Sequence, residues 1–77
     1  MKETEIQAGK SYIGRTGQVR KVISIHGPMA RYEVTRAGYW RPGSIVSTIL
    51  KKQNLVGYVA RVQVTTLAQW ADQEVAA

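Results

Sequence analysis

The sequence has no cysteine, no phenylalanine, two prolines and one histidine in 77 residues. Without thiols, disulfide staples and thiolate metal sites are excluded. The lone His26 has no His-x-x-x-His partner and no cluster of acids beside it, which argues against a zinc site. Ser11, Ser24, Ser44 and Ser47 have no other base to activate them, so the chain reads as a non-enzyme. No apolar run approaches the ~18 residues of a membrane-crossing helix. The opening Met1-Lys2-Glu3-Thr4-Glu5 is too acidic for a signal peptide. These absences lead us to expect one cytoplasmic domain over residues 1–77, with residues 1–8 a flexible N-terminal segment. No metal, cofactor or membrane partner is expected.

Acids are scarce too, and they sit at the ends: Glu3 and Glu5 open the chain, Asp72 and Glu74 close it. Residues 6–71 hold ten bases against the single acid Glu33, and the whole chain carries a formal +6. Such a field draws polyanions and raises encounter rates with them. It also suits an acidic protein surface.

What is present is mostly β-branched. Residues 18–26 (QVRKVISIH) form the clearest strand, bounded by Gly17 and by Gly27-Pro28. Its valines and isoleucines break strict alternation, so a bulge near Lys21 and Val22 is expected. Residues 30–37 (ARYEVTRA) alternate cleanly, with Tyr32 and Val34 on one face, and make a hairpin with the preceding strand. A short strand follows Gly9-Lys10, and residues 44–50 (SIVSTIL) read as another. Lys51-Lys52-Gln53-Asn54 reads as a polar hairpin turn. Residues 55–64 form a further strand, with Ala60 and Val62 on one face and Arg61 and Gln63 on the other. The period then changes. Thr66 and Gln69 match a capping box, and Leu67, Trp70, Ala71 and Val75 form a helical stripe, which predicts a helix over residues 67–75 with Trp70 in the core. The expected fold is mainly β: a small SH3-like barrel of four or five antiparallel strands with one short C-terminal helix.

Two segments carry the functional expectation. In residues 15–22 a glycine turn feeds a strand bearing Arg15, Arg20 and Lys21, which suits phosphate contact. In Tyr39-Trp40-Arg41-Pro42-Gly43, two adjacent aromatics on a Gly/Pro loop cannot both be buried. An exposed ring beside Arg36 and Arg41 provides a stacking platform for an unpaired base. The expected site is therefore Arg15, Arg20, Lys21, Arg36, Arg41 and Arg61 on phosphates, with Tyr39 and Trp40 stacking. The partner is nucleic acid, DNA or RNA, bound with low sequence specificity because no helix is basic enough to read a groove. The alternative is a protein-interaction module for an acidic partner. A homodimer is compatible with an open sheet edge.

The stretch Gly17-Gln18-Val19-Arg20-Lys21-Val22-Ile23-Ser24-Ile25, with Tyr32 and Val34 on the returning strand, resembles the KOW and related SH3-like barrels over residues 9–36. That resemblance implies association with RNA and with the transcription or translation machinery. The chain lacks the Val-rich strand that usually precedes the motif, and its C-terminal helix lies outside it. Val62-Gln63-Val64-Thr65 is similar to the active-site Val-Gln-Ile-Tyr of the plasmid-encoded type II dihydrofolate reductases, tetramers around a central pore. Gln63 would match their pore glutamine, Thr65 replaces their tyrosine, and no lysine matches theirs. The overall pattern is also similar to small phage and plasmid proteins, which implies a mobile-element inhibitor of a host complex.

Overall fold

Alternating large apolar and polar side chains place one face of a strand against a core and the other toward solvent. The structure, a computed structural model, describes residues 1–75. Its β3 strand (Met29–Arg36) buries Ala30, Tyr32 and Val34 and turns Arg31 and Thr35 outward. β2 (Val19–His26) pairs antiparallel with it across the Gly27-Pro28 turn. The register shifts between Val19 and Arg20 and again between Val22 and Ser24. Val22 joins the core and Val19 is buried outside it, while Ile23 stays 45% exposed. The bulge expected near Lys21 and Val22 therefore exists, one residue further along.

Three more strands extend this hairpin. β1 (Ser11–Gly14) pairs with β2, β4 (Val59–Gln63) with β3, and β5 (Ala71–Val75) with the other side of β1. The single antiparallel sheet has the order β4-β3-β2-β1-β5. Two short helices complete it, α1 (Thr48–Gln53) and α2 (Val64–Trp70). α2 packs against β3, β4 and β5 and so bridges the two outermost strands on the buried face. Its Leu67 and Ala68 join Ile6, Tyr12, Val22, Ala30, Tyr32, Val34 and Ala71 in one core. The chain is thus mainly β, as its sequence predicts.

Several expectations need correction. Residues 1–8 are not a loose tail: Glu3–Glu5 form a 3-10 turn and Ile6 is buried. The Tyr12 hydroxyl fixes this segment, donating to the Glu5 carbonyl at 3.0 Å and accepting from the Gln7 amide at 2.8 Å. Residues 44–50 form no strand. Ser47 caps α1 by accepting from the Leu50 amide at 3.2 Å, and Lys51 and Lys52 occupy its last turn, where they complement the helix dipole. Lys51-Lys52 is therefore helical rather than a hairpin tip. The strand expected over residues 55–64 begins only at Val59.

The C-terminal helix starts earlier and stops sooner than its stripe suggests. Ala71 is extended, with φ −75° and ψ 127°, and the chain continues as β5. The unpaired edge of β1 offers residues 71–75 a ladder of backbone hydrogen bonds, a partner that periodicity within the segment cannot reveal. The capping box does not form, because Gln63 occupies the N-cap and caps with no side-chain bond. Leu67 and Ala71 are nonetheless buried, as the stripe requires.

Candidate nucleic-acid interface

Residues directly opposite on paired strands share a face. Arg20 lies opposite Tyr12 on β1 and Val34 on β3, both fully buried, so its side chain starts on the core side of the sheet. It lines a groove with Trp40 and Trp70. There its guanidinium carbon lies 4.0 Å from the Trp70 ring centre and 4.5 Å from that of Tyr32. Both separations are cation–π contacts, and a planar guanidinium suits them better than an ammonium. Arg20 Nε donates to Gln18 Oε1 at 2.8 Å. Loss of water lowers the Arg20 pKa from its ordinary value, while Tyr32 and Tyr58 push it back up. At neutral pH the group remains a cation, held in place by aromatic faces.

Two polar side chains build the wall beside it. Gln18, itself 6% exposed, donates through Nε2 to the Gln53 carbonyl at 3.1 Å and to Asn54 Oδ1 at 3.0 Å. The same Asn54 oxygen accepts from the Gly38 amide at 2.7 Å, and Asn54 Nδ2 donates back to the Gly38 carbonyl at 3.0 Å. The Tyr39 amide donates to the Thr16 carbonyl at 2.8 Å. This network ties residues 37–58, the long excursion between β3 and β4, to the turn between β1 and β2. Gly38 has no room for a side chain there: an added Cβ would lie 2.5 Å from Thr16 Oγ1. Gly14 serves the same end for Trp70, whose indole would lie 2.5 Å from an added Cβ.

The result is a groove of about 180 Å³ lined by Thr16, Gln18, Arg20, Trp40, Leu50, Asn54 and Trp70 among others. A second depression of about 250 Å³ is lined by Arg15, Thr16, Gln69, Trp70 and Asp72. Trp70 and Thr16 line both, so the two depressions adjoin. Trp40 is 40% exposed and Tyr39 69%. The expectation that this loop leaves an aromatic accessible agrees with these values. Trp70, expected in the core, is half-buried and shared with the groove.

The predicted bases do not form one face. Arg15 lines the depression that shares Thr16 and Trp70 with the groove, and Arg41 follows Trp40 in sequence, whereas Arg36 ends β3 opposite Val19, the neighbour of Arg20 on β2, and lines no part of the groove; all three are exposed. Lys21 projects from the opposite face to Arg20, level with Glu33 and Ser11. Arg61 lies opposite Arg31 on the outer face, where the two arginines line a shared depression. Adjacent positions on a strand point to opposite sides, so Arg20 and Lys21 cannot hold one phosphate. Sequence reasoning missed Trp70 and Gln18 as groove residues. Gln18 precedes a strand and Trp70 lies on an apolar stripe, so neither carries a local signal. Gln63, the reductase-like glutamine, sits at the other end of the sheet and caps α2.

The chain matches no known family model, no curated protein and no solved structure.

Proposed function

We propose that this protein binds nucleic acid with low sequence specificity through the groove end of the sheet. It acts as a binder, not an enzyme. The observation that carries the reading is the Trp40–Arg20–Trp70 groove, with Arg15 in the adjoining depression and Arg41 next to Trp40 in sequence. Aromatic faces stack on bases of any sequence, and exposed arginines neutralise the phosphates on either side. The exposed face of Trp40 can stack only on a base that is not already stacked in a duplex, so the preferred ligand is an unpaired strand. The strand order β4-β3-β2-β1-β5, with a helical turn before the last strand, supports the SH3-like reading on which the KOW resemblance rests.

Anisotropy of labelled single- and double-stranded oligonucleotides over a salt series tests the proposal. The expected result is tighter binding of single strands, quenching of tryptophan fluorescence, and a linear fall of log affinity with log salt. No binding at physiological salt to either strand type would overturn it.

A further inference from the structure

Among the described residues, eight of the nine exposed large apolar side chains lie between residues 39 and 59. Apolar surface gathered in one segment of a small protein marks a contact surface. Trp40 and Leu50 line the groove already described. Ile45, Ile49, Leu55 and Val56 do not, and they range from 62% exposed to fully exposed. The segment's charges are Arg41, Lys51 and Lys52, with no acid.

The other end of the molecule has the opposite character. A groove of about 480 Å³ is lined by Ile6, Ile25, Pro28 and Val64, with Glu3 and Thr4 at its rim. Glu5 belongs to the same 3-10 turn as Glu3. This groove includes the β2–β3 turn, whereas the excursion is tied to Thr16 and Gln18 at the far end of β2. Eight strand residues separate the two, about 26 Å at the usual strand rise. A chain therefore cannot fill its own groove.

We propose that the 45–56 segment of one copy docks into the Glu3–Pro28 groove of a second copy, head to tail. Apolar side chains then meet an apolar lining, and Lys51 and Lys52 face Glu3 and Glu5. A symmetric contact of two such segments would instead set lysine against lysine and is disfavoured. Because the two surfaces differ, the association is heterologous and propagates into chains unless the rotation closes a ring. The proposal uses none of the arginines or tryptophans assigned to nucleic acid, so either reading can fail alone.

Sedimentation velocity of the full chain, from low to high micromolar concentration, tests it. The wild type is expected to grow beyond a monomer as concentration rises. Ile49→Ser/Leu55→Ser and Glu3→Lys/Thr4→Lys should each weaken association by about tenfold or more. Mixed together, the two variants retain one intact segment and one intact groove, and they should form one-to-one pairs that grow no further. Should either pair disturb the circular dichroism spectrum, Lys51→Glu/Lys52→Glu mixed with Glu3→Lys/Thr4→Lys sets opposite charges at both contacts through solvated side chains, so this mixture should grow beyond a pair while each variant alone stays weakly associated. A wild type that stays monomeric throughout, a mixture that forms no pairs, or a dimer indifferent to the groove variant would overturn the proposal.

Discussion

The β2–β3 hairpin and the 37–58 excursion are both rich in apolar residues but use them in opposite ways. In the hairpin Val22, Ala30 and Val34 have no solvent exposure. In the excursion Ile45, Ile49, Leu55 and Val56 are all exposed. The hairpin turns hydrophobicity into folding free energy, at about 25 cal/mol for each Å² removed from water. The excursion keeps its apolar surface available, and a few polar bonds from Asn54 and Gln18 hold it in place. Buried and exposed apolar surface are thus divided along the chain.

Truncation separates the two regions most sharply. Leu67→Ala, at a fully buried side chain, should cost about 2–5 kcal/mol in urea unfolding, whereas Ile49→Ala should change stability by no more than about 0.5 kcal/mol. Equal losses would mean that the excursion is part of the core. Gly14→Ala comes next. The new methyl meets the Trp70 indole, and the expected cost is about 1–3 kcal/mol with a change in tryptophan emission. Asn54→Ala strips partners from Gly38 and Gln18 and should cost about 1–3 kcal/mol. Its signature is local. Hydrogen exchange should quicken at Gly38 and Tyr39 while the β2–β3 amides keep their protection.

The smallest expected effect on stability is at Arg20. Arg20→Met removes a half-desolvated charge and its stacking together, so stability should move by no more than about 1 kcal/mol. The sign follows from the lowered pKa. The desolvation cost is present wherever Arg20 is charged in both states, and it is relieved only as pH rises through the folded pKa, in the strongly alkaline range. The effect of Arg20→Met on stability should therefore be the same across the neutral range. Oligonucleotide affinity should nonetheless fall about tenfold, since a stacked contact is worth about 1–3 kcal/mol.

The same contrast explains which parts of the molecule were legible in the sequence. Residues 30–34 alternate so cleanly that strand, face and buried residues follow directly. Residues 44–50 carry more β-branched side chains than residues 30–34, yet they pair with no strand, and Ser47 caps a helix that starts at Thr48. Residues 71–75 show the reverse: a helical stripe ends where the open edge of β1 captures the chain. Tertiary pairing decided the second case, and a local pattern does not contain it. At the candidate site, Trp40, Arg15 and Arg41 were visible from composition and loop chemistry. Lys21 and Arg61 were not separable from them, because charge alone does not say which face of a strand a base occupies.

Equal charge removed from different places gives the most direct test of the groove as a nucleic-acid interface. Arg15→Gln/Arg41→Gln and Lys21→Gln/Arg61→Gln each delete two positive charges, the first pair beside the groove and the second away from it. Titrated by anisotropy with one single-stranded oligonucleotide at one salt concentration, the first pair should bind about tenfold more weakly than wild type, and the second should lose no more than about threefold. Equal losses from both pairs would show attraction by net charge alone and contradict a localised site.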